Sequence, residues 1–506
     1  MNNEFQMRPE SSQDIEYLLR RWIPVVVSVV AAVVAGYWVG NNDWGALAKW
    51  AGVAVVCFVA CSLQDRGWIL IPLFSYASGR ISLLPLPFSY HDLSILLAIA
   101  AYVAHRAMVK TEPVKMGHIL DWLTALNVGW IAMIWLRKPV GFLALQSEYV
   151  GARLYMDIGL AALAAWVIIQ LPRSLTQVRH LPYYILGSCS IHGFLSLTVF
   201  LIPSVLPIIQ PFYAETLNVD WQLTVDFVRF RDLCDLGAML ILTVASHSSL
   251  YEMFHLLRWQ PYLMLSGTVM ALVGGFRGVT ASIMAYLTLG VWLRGGRRAL
   301  LVVLVVMSMG LTFLLLGQGR FYSLPLAFQR SLSFLPAAWS PIAVLDAAGS
   351  SQSRFDWWAD VVKFKLIKNW WIGDGLGYRL AEMNTVAELS KFNFAHGMEF
   401  YGSYHSGPLQ TIRFVGIVGL ILLLVLMIAT AVAAGRCLRK ARGGPLESLS
   451  IFLAIQAIWI PFAFVVIFGS YGGGLCGAIT LAAYVRLVGR MLDEQAESST
   501  TALAAD

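Results

Sequence analysis

Long apolar runs alternate with short polar connections from one end of the chain to the other. An apolar run of about 18 or more residues is long enough to cross the hydrocarbon core as a helix. Strands of a membrane barrel would instead alternate residue by residue, and these runs do not. The pattern predicts fourteen spans, at 23–40, 46–63, 67–86, 91–105, 119–137, 154–171, 182–204, 231–248, 260–275, 278–294, 299–317, 410–434, 449–469 and 471–490. The third is interrupted by Pro72, Pro85 and Pro87, so it reads as a broken or re-entrant segment.

The expected fold class is therefore an all-α polytopic membrane protein of about 12–14 transmembrane helices, with one large outer loop carrying interfacial helices. The organisation expected is a tail at 1–22, eleven spans over 23–317, a loop or cap over 318–409, three spans over 410–490, and a disordered Ser/Thr/Ala tail at 491–506. Within the cap, Trp357, Val361, Phe364, Ile367 and Trp371 recur at helical spacing, beside the more polar Asp356, Asp360, Lys363 and Lys368. That spacing predicts a helix over 354–371 lying in the headgroup layer, ended by the glycines of "GDGLG". A small soluble helix within a loop is the alternative.

Loop charges give the orientation. If Arg20 and Arg21 are cytoplasmic, the connections "HRAMVKTEPVK", "LPRSLTQVRH", "RGGRR" and "RCLRKARGG" all fall on the same side. Basic short loops mark the cytoplasmic face. Both termini are then cytoplasmic, and 318–409 lies outside with "NNDWG" and "PFYAETLNVDWQLTVD".

Composition agrees with this class: 58% of the 506 residues are hydrophobic and only 13% charged, against about one quarter charged in soluble domains. The net charge of +7 is explained by cytoplasmic loops, so no nucleic-acid partner is expected. Cys57, Cys61, Cys189, Cys234, Cys437 and Cys476 lie mostly in or beside apolar runs without metal-ligand spacing, and no disulfide framework is expected. The first residues are polar and mixed in charge, and no cleavable signal is evident.

Ionisable residues near membrane depth are costly, so their positions guide the functional reading. Arg229 and Arg231 stand at the outer mouth of the eighth span, with Asp232 and Asp235 just inside. Arg277 occupies a glycine-flanked outer turn, Arg354 opens the cap helix, and His405 and Arg413 precede or begin the twelfth span. A single arginine at a span end can simply snorkel to lipid phosphates, and a single histidine can be a loop residue. Together they describe a cationic outward-facing cavity with one titratable base. Guanidinium groups grip phosphate oxygens bidentately and keep their charge, so a lipid pyrophosphate fits. The outer side carries no Asp-x-Asp or paired-carboxylate pattern, and no metal or other cofactor is expected.

Three stretches resemble the bacterial O-antigen ligase and repeat-unit (Wzy-type) polymerase superfamily. They are Arg277-Gly278 opening a span, the long outer loop with "NWWIGDGLGY", and a histidine just ahead of "LQTIRFVGIVGL". The likeness covers roughly 230–435. Ser406 follows the histidine where the family often has Asn, and Trp370-Trp371 stands where Pro-Leu is usual.

The resemblance implies transfer of a glycan from an undecaprenyl-diphosphate-linked oligosaccharide donor to an acceptor hydroxyl, on the periplasmic face of the bacterial inner membrane. His405 would be the base and Arg277 the main electrostatic stabiliser, with Arg229, Arg231, Arg354 and Arg413 binding the diphosphate or glycan. The implied partners are a glycan or lipid-linked acceptor, membrane lipids and a chain-length regulator. A polymerase extends a lipid-linked repeat unit, and a ligase transfers the glycan to lipid A–core or protein. The extended 318–409 segment favours the polymerase, as a place to hold a growing chain. A flippase for lipid-linked sugars is the rival from another class, but it calls for polar or broken helices near the midplane.

Overall fold

The computed structural model describes residues 52, 55, 58–80, 88–109, 113–142, 147–171, 174–213, 219–221, 228–383, 385, 402 and 404–505. The chain divides into two compact units, 1–63 and 64–506. In the first, residues 58–63 are helical, while the spans read at 23–40 and most of 46–63 lie outside the described residues.

The second unit is built of helices. Apart from α-helices of four or five residues, the α-helices among the described residues are, in chain order, α1 (Tyr90–Met108), α2 (Ile119–Arg137), α3 (Ala152–Gln170), α4 (Leu181–Leu201), α5 (Arg231–His247), α6 (Gln260–Val273), α7 (Arg277–Gly317), α8 (Leu326–Leu332), α9 (Pro341–Lys363), α10 (Gly407–Ala441), α11 (Glu447–Phe462) and α12 (Tyr471–Ala505). Among the described residues, seven helices are long and apolar enough to cross a membrane: α2, α3, α4, α7, α10, α12, and α11 with the turn that follows it. The protein is thus a mostly helical, multi-pass membrane protein.

Local chemistry accounts for several of the helix starts. Ser89 and Asp92 close a reciprocal capping box at α1, and His118 with Asp121 does the same at α2. Prolines stand in the first turn of α4, α6, α9 and α10, where a missing N–H costs nothing. The proline-rich third segment is not a span among the described residues: helical turns over 64–73 end at Leu73, and 74–80 are irregular. Helix α7 contains Gly296 in a non-helical conformation (φ 70°), so the spans read at 278–294 and 299–317 fall on either side of it. Helix α12 continues through the tail expected to be disordered, reaching Ala505.

In the 318–409 segment, α9 starts earlier and stops earlier than the tryptophan spacing predicts. Leu366 N donates to Val361 O (3.1 Å) and Lys365 N to Val362 O (3.3 Å), with Lys365 at φ 51°. This is the pairing of a Schellman end, with lysine taking the left-handed position usually given to glycine. Ile367 and Trp371 therefore lie beyond the helix.

Helix α10 is also two segments, divided at Gly416 (φ 74°, ψ 178°). The stretch 369–377 docks into this break. Asp374 N donates to Arg413 O (2.8 Å) and Gly375 N to Phe414 O (3.0 Å), while Ile417 N donates to Trp370 O (2.7 Å). Trp130 Nε1 donates to Val415 O at 2.9 Å. Backbone groups freed by the break are thereby satisfied inside protein, as a buried non-helical segment requires. Arg137 reinforces the loop by donating to Gly373 O at 2.6 Å, and β1 (Tyr149–Val150) pairs antiparallel with β4 (Tyr378–Arg379) at its far end. Between these in the chain, β2 (Val219–Trp221) and β3 (Val228–Phe230) form a second short ladder.

Gly416→Ala tests the break. A Cβ there would lie 2.0 Å from Trp371 O, in a region of backbone space open essentially to glycine alone. Strain and backbone clash together are expected to cost about 3 kcal/mol or more. Thermal unfolding of the purified variant checks this, and an unchanged midpoint would mean the loop does not lock the break.

Candidate functional site

The site forms where α7, α9, the start of α10 and the end of α11 converge. Pro461 lacks the N–H an α-helix needs in the last turn of α11, and the chain then passes into a π-helical turn, Ala463–Ile467. That turn lies against the start of α10: a Cβ on Gly407 would be 2.4 Å from Phe464 O. It also touches α7, because a Cβ on Gly278 would meet Ile467 at 3.1 Å. Trp459 Nε1 donates to Ser282 Oγ (3.0 Å) on the same face of α7. The Arg277 turn and the segment around Phe468 are thus neighbours.

Helix α9 reaches the same place. Trp358 Nε1 donates to Tyr404 O at 2.8 Å, and Val361 packs with Ile367, Tyr404 and Ile412. Trp357 stacks on the imidazole of His405, with ring centroids 5.6 Å apart and planes inclined by 27°. Phe468 contacts the ring as well, at 5.3 Å. The Arg354 guanidinium lies over Phe468, 6.0 Å from its centroid. His405 is held at φ 50°, a left-handed conformation that histidine adopts more readily than most residues but still at a cost. The preceding carbonyl is fixed by Trp358, and the following Ser406 caps α10 by accepting from Leu409 N.

Arg330 carries no signal of its own in the sequence, where it stands in "LAFQRSL". It is 4% exposed, pairs with Asp346 and donates to the carbonyl of Gly275, two residues before Arg277. Gly275 has φ 68°, so Arg330 braces the tight turn that presents Arg277. Asp346 lies on α9, eight positions before Arg354, so one ion pair joins the Arg277 turn to the helix carrying Arg354. The charges of Arg330, Arg354 and Asp346 all act on Arg277. Arg330 has its carboxylate, whereas Arg277 and Arg354 have no ion-pair partner among the described residues. Burial, and secondarily Arg330, lower the Arg354 pKa from its usual value. Burial, and then Arg354, lower the His405 pKa below 6.5, which keeps the ring neutral near pH 7.

The structure therefore gathers three sequence candidates, Arg277, Arg354 and His405, and adds Arg330. It places Arg413 elsewhere: its guanidinium pairs with Asp374 in the loop that fills the α10 break. Arg231 opens α5 with an exposed side chain, and its charge acts on Asp235. Arg229 belongs to β3, its side chain outside the described residues. His396, the other histidine of the 318–409 segment, and Glu399, a carboxylate that could serve as base in its place, also lie outside them. Among the described residues, no three His, Cys, Asp or Glu side chains come together as a metal-ligand set.

Removing Arg330 separates its two tasks. Arg330→Met removes the ion pair to Asp346, and breaking a largely buried pair costs about 3–5 kcal/mol. Arg330→Met with Asp346→Leu is expected to regain part of that stability, because the carboxylate that lost its arginine is replaced by an apolar group. If the double variant regains the full unfolding midpoint of the unmodified protein, the brace to Gly275 is dispensable.

No protein-family model matches the chain, and no curated protein matches it.

Proposed function

We propose that the protein is a membrane glycosyltransferase that moves a glycan from an undecaprenyl-diphosphate carrier to an acceptor hydroxyl, polymerising O-antigen or exopolysaccharide repeat units. The observation carrying this reading is the convergence of Arg277 and Arg354, two half-buried guanidinium groups without carboxylate partners among the described residues, beside the half-buried imidazole of His405. The proposed setting is the bacterial inner membrane, with 12–14 spans, cytoplasmic termini and the site on the periplasmic face.

In this mechanism the acceptor oxygen forms a bond to the anomeric carbon as the bond from that carbon to the diphosphate breaks. His405 takes the acceptor's proton, and Arg277 and Arg354 stabilise the charge gathering on the departing diphosphate. Fixed donors of this kind need no reorganisation during the reaction.

Purified protein given lipid-linked repeat units and no energy source tests the reading. Products of increasing glycan length on the carrier are the expected result. A single transfer to a lipid A–core or protein acceptor, with no lengthening on the carrier, would make it a ligase. Movement of carrier lipid across the bilayer with its glycan unchanged would replace the transferase reading with a flippase.

A further inference from the structure

We infer that a second site, away from the His405 cluster, binds an anionic phospholipid in the leaflet on the basic-loop side. A half-open groove, with about 340 Å³ of empty space counting the solvent at its mouth, lies between α2, α3 and α12, with Leu120, Trp166, Ile169, Ile479 and Ala483 among its walls and Asp121 and Arg486 as its charged residues. All three helices are among those able to cross a membrane, so a molecule entering between them comes from the lipid phase. The walls suit an acyl chain.

The charged residues say which headgroup fits. Arg486 is 16% exposed at its side chain and stands 3.7 Å from Asp121. That is an ion-pair distance but too long for a hydrogen bond. Asp121 Oδ2 is already engaged, accepting from Gly117 N and His118 N at 3.0 Å each. The buried Nε–H of Arg486 has no hydrogen-bond partner among the described residues. A buried donor left unmade is costly, and a phosphate oxygen would satisfy it in the geometry guanidinium favours.

Arg436, exposed near the basic end of α10, serves the same corner: at His118 the charges of Arg486 and Arg436 oppose those of Asp121 and Asp493. The acids there are engaged: Asp493 holds Lys440 and Glu494 holds Arg490. An excess cation beside an apolar groove selects an anionic lipid over a zwitterionic one. This site does not depend on the transferase reading.

The test uses the purified full chain in detergent, titrated with phosphatidylglycerol, phosphatidylcholine or inorganic phosphate, and read by thermal unfolding and by lipid retention in native mass spectrometry. Phosphatidylglycerol alone should raise the unfolding midpoint. Arg486→Gln should weaken its binding about tenfold or more, the worth of a charge-assisted hydrogen bond. Ala162→Phe, which fills the groove from α3 without touching a charge, should do the same, and it decides the matter if Arg486→Gln fails to fold. Equal stabilisation by phosphatidylcholine would overturn the choice of lipid. Equal stabilisation by phosphate alone would make it a simple anion site. Undiminished phosphatidylglycerol binding in Ala162→Phe would remove the lipid from this groove.

Discussion

His405→Ala is expected to remove glycan transfer while leaving carrier-lipid binding close to normal. In the proposed mechanism the histidine acts on the acceptor, and the arginines hold the donor. General-base assistance is worth ~10²–10⁴-fold in rate, so kcat should fall by that factor with little change in donor affinity. The pH dependence follows from the ring's surroundings. Burial and the Arg354 charge both disfavour the imidazolium, placing the pKa below 6.5. Transfer should therefore be fully present above that value and decline as pH falls through it. Arg354→Gln removes one of the two causes, so the acid limb should move up toward 6.5 even as donor binding weakens. An acid limb unmoved by Arg354→Gln would detach the limb from His405. His396→Ala provides the control on the same loop. Loss of transfer in that variant, with His405→Ala active, would assign the base to the wrong histidine.

How far this site could be read beforehand depended on whether each signal was local. Most helices were visible because apolar runs are contiguous in the chain. The division at Gly296 was visible too, since "RGGRR" puts charge and glycine together. The division at Gly416 was not: "FVGIVGL" is apolar throughout, and the loop that satisfies its backbone comes from 369–377. The end of α9 was hidden for a related reason, because Lys365 occupies a position where glycine would have announced the stop.

The arginines show the same limit. Arg277 was conspicuous between glycines, whereas Arg330 sits in "LAFQRSL", an ordinary short helix, and takes its meaning only from Gly275 and Asp346. Arg413 looked equivalent to the others in one dimension. Asp374 claims it in three.

Arg277→Ala carries the second large expected effect. The side chain begins α7 at a braced turn, half-buried and without an ion-pair partner among the described residues. The turn itself is maintained by Gly275 and Arg330 through the backbone, so truncating Arg277 should leave protein abundance and the unfolding midpoint nearly unchanged. Removing one preorganised donor from a developing anion costs about 10²–10³-fold in turnover, and that loss is expected here for the diphosphate donor. Arg277→Lys should recover only part of it, because ammonium keeps the charge but loses the planar two-pronged contact. Comparison with Arg330→Met/Asp346→Leu then separates charge from placement. In that variant Arg277 is present but its turn is no longer held, so turnover should lie between those of Arg277→Ala and the unmodified protein. Normal turnover by Arg277→Ala at saturating and at limiting donor would reduce the residue to a lipid-phosphate anchor at the end of a span.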